Sequence, residues 1–165
     1  TFGKIIGAGM PVGAYGGRRE IMEMVSPVGA VYQAGTLSGN PVAMAAGIAQ
    51  LTYLKEHPEV YTKLNKTSDS FFAELQKIVD ESGRGYQVNH ICSLGSMFCT
   101  TQEVYDYETA KTSGYEAYAD YCNYMQNHGI YLAPAQFEAM FISAAHTQEQ
   151  LAQTLETARN YFKNN

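Results

Sequence analysis

The chain has 165 residues, enough for a real core or for one compact part of something larger. At 45% hydrophobic and 16% charged residues it reads as a soluble globular sequence, and a net charge of −5 argues against general affinity for nucleic acid or an anionic membrane. No apolar run approaches the 18 or so residues of a membrane span, and nothing resembles a signal peptide.

The first 17 residues hold "GKIIGAGMPVGAYGG", a glycine-rich stretch with a single charged residue, Lys4. It predicts a loop followed by a short extended segment, "PVGAYGG". Residues 18–25, "RREIMEMV", read as a short helix ended by Pro27, and 28–41 as a second loop punctuated by Gly and Pro. Either Ser38 or Asn40 suits the N-cap of the next helix, with Pro41 at its first position. That helix, about 41–56, is rich in small side chains that let another backbone approach closely, as in a buried helix. Residues 1–40 hold too little apolar surface to offset their own ordering cost of about 1–2 kcal/mol per residue.

Pro58 opens a longer helix to about residue 82, with Val60, Leu64, Phe71, Leu75 and Ile78 along one face. Two extended segments, "YQVNHIC" and "SMFCTT", follow with a turn expected near Leu94–Gly95. A helix over 114–128 stops at Gly129. Its Tyr115, Tyr118, Tyr121 and Tyr124 step by three, so the row drifts round the helix, part packed and part solvated. "IYLAP" and "AMFIS" are short strand candidates. The last helix, 147–163, carries Leu151, Leu155, Ala158 and Phe162 on one face, with Thr147 as N-cap. The order after residue 84 predicts an α+β arrangement, an antiparallel sheet with helices on one side.

Several chemistries fail on spacing. Val12 stands where G-x-G-x-x-G requires its third glycine, and Lys4 is followed by Ile5 rather than by the Ser or Thr of a P-loop. The four histidines are scattered without ligand spacing, so no metal is expected. Cys92, Cys99 and Cys122 form no C-x-x-C and read as reduced core thiols of a cytosolic protein. Lys4 has a logic of its own. An amine that forms a Schiff base needs an apolar or cationic setting, which Ile5 and Ile6 suit, and glycines let backbone bend beside a bulky ring. Read without further context, Lys4 is rather an exposed terminal lysine, Thr36 a turn residue and Glu138 a surface carboxylate on an edge strand.

Three stretches change that weighting: "GKIIGAGMPVGAYGGRREIM", "YQAGTLSGNPVAMAAG" and "GIYLAPAQFEAMFISAAHT". Together they resemble the glutamate-1-semialdehyde 2,1-aminomutase family, a class III aminotransferase subgroup of the fold type I pyridoxal-phosphate enzymes. The likeness runs the whole chain but covers only the C-terminal portion of that family's length. The chain also opens at Thr1 on its most specialised loop, so a preceding segment is expected. The resemblance implies that residues 1–57 are the end of the cofactor-binding large domain with a connecting helix. It makes 58–165 the C-terminal small α+β domain.

It also implies that Lys4 is the catalytic lysine that holds pyridoxal 5'-phosphate or pyridoxamine 5'-phosphate and shuttles protons. Gly35 and Thr36 would reach the cofactor phosphate of a neighbouring subunit, and Glu138 would position substrate. "APAQFEAMF" is similar to the aminomutase pattern "APSQFEAGF", with Ala135 for serine and Met140 for glycine. The implied protein is a cytoplasmic homodimeric isomerase. It moves an amino group within a small amino-aldehyde to give 5-aminolevulinate for tetrapyrrole (porphyrin) synthesis, with no nucleic-acid or membrane partner. The 165 residues alone are expected to be inactive. Another class III aminotransferase, or a non-catalytic structural or interaction domain, are the competing readings.

Overall fold

A computed structural model describes residues 1–164. The chain sorts into two compact units, Thr1–Pro58 and Glu59–Asn165.

In the first unit, β1 (Phe2–Gly3) pairs antiparallel with β2 (Gly13–Ala14), Phe2 opposite Ala14. Between them Lys4–Gly7 forms a 3-10 turn that ends at Ala8 in the left-handed region, φ 51°. β2 lies within the predicted extended stretch. Helix α1 (Arg19–Met22) is shorter than the expected 18–25. The backbone beyond it is committed elsewhere: Val31 N–H donates to the Met24 carbonyl at 2.9 Å, and Ser26 N–H to the Val31 carbonyl at 2.8 Å. Helix α2 (Pro41–Glu56) has the predicted bounds, and Asn40 rather than Ser38 caps it. The Asn40 Oδ1 accepts from the Val42 and Ala43 amides, both at 3.1 Å.

The expectation that α2 is a buried helix holds at only two positions. Ala43 and Gly47 are buried, while Ile48 and Leu51 stay half or more exposed. The close backbone approach is real at Gly47, where a Cβ would lie 2.9 Å from the Ile6 carbonyl oxygen. The Gln50 side-chain amide donates to the Ile5 carbonyl, tying the 3-10 turn to α2. Over residues 1–40 only Gly7 is buried.

In the second unit, α3 (Glu59–Glu81) buries Phe71, Phe72, Leu75, Ile78 and Val79 on the face that the apolar spacing predicts. It ends where Gly83 takes φ 70°. Strands β3 (Gln87–Ile91) and β4 (Leu94–Phe98) pair from Gln87↔Phe98 to Ile91↔Leu94. The hairpin turn is therefore Cys92–Ser93, not Leu94–Gly95. Gly95 is in the strand because Phe72 packs on it: a Cβ there would sit 2.3 Å from the ring. Cys92 bears the turn, at φ 50°, and is exposed, whereas Cys99 and Cys122 are the buried free thiols expected.

A capped single turn, α4 (Tyr107–Ala110), precedes α5 (Tyr115–Asn127). In α5, Tyr118 and Tyr121 are buried and Tyr115 is exposed, the predicted drift. Only one of the two late strand candidates forms. β5 (Met140–Phe141) joins the free edge of β4, giving the antiparallel order β3-β4-β5. "IYLAP" is not a strand, because its backbone serves other partners. Ile130 N–H donates to the Met125 carbonyl at 2.9 Å, closing the end of α5, and the Ala133 carbonyl accepts from the Tyr118 hydroxyl at 2.7 Å.

Helix α6 (Gln148–Asn164) starts with a reciprocal cap between Thr147 and Gln150. It buries Leu151, Ala158, Tyr161 and Phe162 against the other helices and the Met97 and Cys99 side chains. Gly95 and Met97 of β4 are buried while Leu94, Ser96 and Phe98 are half-buried, so the helices cover one face of the sheet. Among the described residues no helix is long and apolar enough to cross a membrane.

Candidate active site

Lys4 is the first residue of the 3-10 turn and takes φ 52°, a region sparsely occupied by residues with a Cβ. Its side chain is exposed and lines a shallow concavity with Ile5, Gly9, Met10 and Pro11. Among the described residues no carboxylate pairs with it. Ile5 is 74% exposed, so within the described chain it flanks the amine without burying it. Gly9 holds φ 87°, and no atom lies within 4 Å of where its Cβ would be. An unpaired amine beside the open space at Gly9 leaves room for a flat group that a lysine must reach.

Gly35 lines a second concavity in the same unit, with Phe2, Tyr15, Gln33, Leu37 and Ser38 among its walls. The Gly35 carbonyl accepts from the Ser38 amide at 2.9 Å, a tight turn that leaves Thr36 exposed at its crest. Among the described residues the Thr36 hydroxyl has no hydrogen-bond partner. It is available to an anion from outside. Lys4 and Gly35 thus face different concavities of one unit.

Glu138 belongs to the second unit. It is exposed on the rim of an apolar groove formed by Leu132, Pro134, Phe141, Ile142 and His146, and its amide donates to the Ala135 carbonyl at 3.0 Å. The two departures from the motif have distinct places. Ala135 closes that turn, and Met140 is a β5 residue opposite Gly95.

Two polar residues near Glu138 escape a sequence reading. Gln136 and Ser113 are 3% and 7% exposed. The Ser113 hydroxyl donates to Gln136 Oε1 at 2.9 Å, and Gln136 Nε2 returns a bond to the Ser113 carbonyl at 3.1 Å. An amide inside "APAQFEAMF" is a faint signal for Gln136; nothing in the sequence marks Ser113. Nearby, burial pushes the Tyr118 phenol up to about 12 and the Cys99 thiol up to about 11. Neither is an acid or base at neutral pH, and Glu138 is the carboxylate among the groove's lining residues.

A family model for class-III aminotransferases matches residues 1–160. The chain belongs to the class-III aminotransferase family. Of its relatives in that family, "Glutamate-1-semialdehyde 2,1-aminomutase 1" of Lachnoclostridium phytofermentans is 60% identical over 163 residues. That match takes in 99% of this chain and 38% of the relative, so the chain spans little more than a third of the curated protein's length. The β-phenylalanine aminotransferase of Variovorax paradoxus superposes with a TM-score of 0.85 at 26% identity, covering 98% of this chain and 37% of that one. A glutamate-1-semialdehyde aminomutase of Pseudomonas aeruginosa PAO1, solved in complex with PMP, shares the fold with a TM-score of 0.69 at 19% identity. It covers 77% of this chain and 28% of that one. The α+β architecture of this chain is that of fold type I aminotransferases.

Proposed function

We propose that this chain is part of a glutamate-1-semialdehyde 2,1-aminomutase that uses pyridoxal or pyridoxamine phosphate. The observation that carries the reading is 60% identity, over nearly the whole chain, to a protein of that name. In this reading residues 1–57 end the cofactor-binding domain and 58–165 form the small C-terminal domain. The protein is a cytoplasmic homodimer, and its product feeds tetrapyrrole synthesis. When bound, the cofactor supplies the electron sink that lets an amino group migrate between adjacent carbons.

The chain's own residues have separable tasks. The Lys4 amine holds the cofactor and carries protons to and from the reacting carbons. The apolar flank of Ile5, Met10 and Pro11 and the open space at Gly9 support that role. Gly35 and Thr36 present a turn and a free hydroxyl toward the phosphate bound by a partner subunit. Glu138 orients the substrate from the rim of the small domain.

A conventional two-substrate aminotransferase is the second reading, favoured by the higher TM-score of the β-phenylalanine aminotransferase. Mixing the full-length protein with glutamate-1-semialdehyde alone separates the two. An aminomutase forms 5-aminolevulinate without an added amino donor or acceptor. Lys4→Ala is expected to remove the visible absorbance of bound cofactor and slow turnover at least about a hundredfold, since it deletes the proton carrier. Near-normal turnover in that variant would end the assignment.

A further inference from the structure

We infer that Gln136 is a positioning residue: its buried amide, locked to Ser113, fixes the turn that presents Glu138 to substrate. The inference rests on the reading of Glu138 as the substrate-orienting carboxylate.

Ser113 is the hub. Its hydroxyl accepts from the Cys99 amide at 2.7 Å and donates to Gln136 Oε1 at 2.9 Å. Gln136 Nε2 donates back to the Ser113 carbonyl at 3.1 Å. Two bonds between the same pair fix the amide's orientation as well as its place. The hub is itself held, because the Gly114 amide donates to the Cys99 carbonyl at 3.0 Å. The end of β4 and the start of α5 therefore carry Gln136 as one body.

The loop is pinned again three residues upstream. The Ala133 carbonyl accepts from the Tyr118 hydroxyl at 2.7 Å. Downstream, the bond from the Glu138 amide to the Ala135 carbonyl closes the turn around Gln136 and Phe137. Glu138 thus leaves a backbone held on both sides of Gln136, while its own side chain stays exposed. Swinging the turn outward would strand a buried amide and a buried hydroxyl without partners, which low local dielectric makes costly. An apolar side chain would fill the same volume without fixing direction. A reciprocal amide lock gives the turn one orientation, which a carboxylate aimed at a small substrate requires.

The test is a double-mutant cycle in the full-length holoenzyme, with Gln136→Met, Glu138→Gln and the double variant. Methionine keeps the length and volume but makes neither bond. Cofactor spectrum, thermal midpoint, kcat and KM for glutamate-1-semialdehyde are measured for each. Gln136→Met is expected to lower kcat/KM about tenfold with cofactor content unchanged, and to add less than about twofold once Glu138→Gln is present, because coupled residues are not additive. Ser113→Ala, which removes one of the two bonds to Gln136 and with it the acceptor of the Cys99 amide, should likewise lower kcat/KM with cofactor content unchanged and serves as the cycle's partner if Gln136→Met does not accumulate. Additive losses, or wild-type kinetics in Gln136→Met, would overturn the positioning role while leaving Glu138 in place. Wild-type kinetics in Glu138→Gln would remove the substrate role of Glu138 itself, and the positioning role with it.

Discussion

Gly95 sits under the Phe72 ring, and the ring has nowhere to retreat. Phe71 meets it edge-on at 5.3 Å and His90 stacks on it at 4.9 Å. A Cβ at residue 95 would lie 2.3 Å from a ring carbon. Alanine is the better strand residue by less than about 1 kcal/mol, but overpacking of this kind costs about 1–3 kcal/mol, so the clash wins. Gly95→Ala is expected to lower the stability of the chain by about 1–3 kcal/mol in urea unfolding. Unchanged stability would mean that the ring moves freely. Lys4 is a contrasting case, since its positive φ and open surroundings contribute nothing to packing in the first unit.

Helix α2 shows how a local signal outlasts weak burial. Only Ala43 and Gly47 are buried, so the helix draws little stability from packing within its unit. Its start rests instead on Pro41 and on the Asn40 side chain, which satisfies two of the free amides of the first turn. Asn40→Ala should therefore cost about 1 kcal/mol locally. Hydrogen exchange at the Val42 and Ala43 amides is expected to quicken severalfold, with the α3 amides unaffected. Equal exchange in both proteins would show that the cap is idle. The hairpin of β3 and β4 obeys the opposite rule: its register follows Phe72 packing on Gly95, not the glycine's turn preference.

At the scale of the whole molecule, the second unit buries a set of phenols and thiols that ionise only at high pH. Burial pushes Cys99 up to about 11 and Tyr118 and Tyr161 up to about 12, and pushes Tyr121 up as well. Each is neutral when protonated and holds its proton more tightly folded than unfolded. Once pH passes their ordinary range, about 8.5–10, the unfolded chain releases protons that the folded chain keeps. Stability therefore falls as pH rises, from about pH 9 through about pH 12. The urea midpoint, followed by circular dichroism, is expected to stay level from neutral pH to about pH 8.5 and then drop steadily. A flat profile to pH 11 would mean that the cluster is already hydrated.

By itself the sequence determined what depends on near neighbours. The bounds of α2, the buried faces of α3 and α6, the tyrosine drift along α5 and the stop at Gly129 all follow from side chains within a turn or two of one another. The family was legible for the same reason, because "GTLSGNP" and "APAQFEAMF" are contiguous. The tertiary structure decided what depends on residues far apart in sequence. It moved the hairpin turn to Cys92–Ser93 through Phe72, some 20 residues upstream. It denied "IYLAP" a strand by giving the Ala133 carbonyl to Tyr118, and it brought Ser113 to Gln136 across 23 residues. A backbone carbonyl or a buried amide takes whichever partner the packed core delivers, and periodicity along the chain carries no trace of that choice.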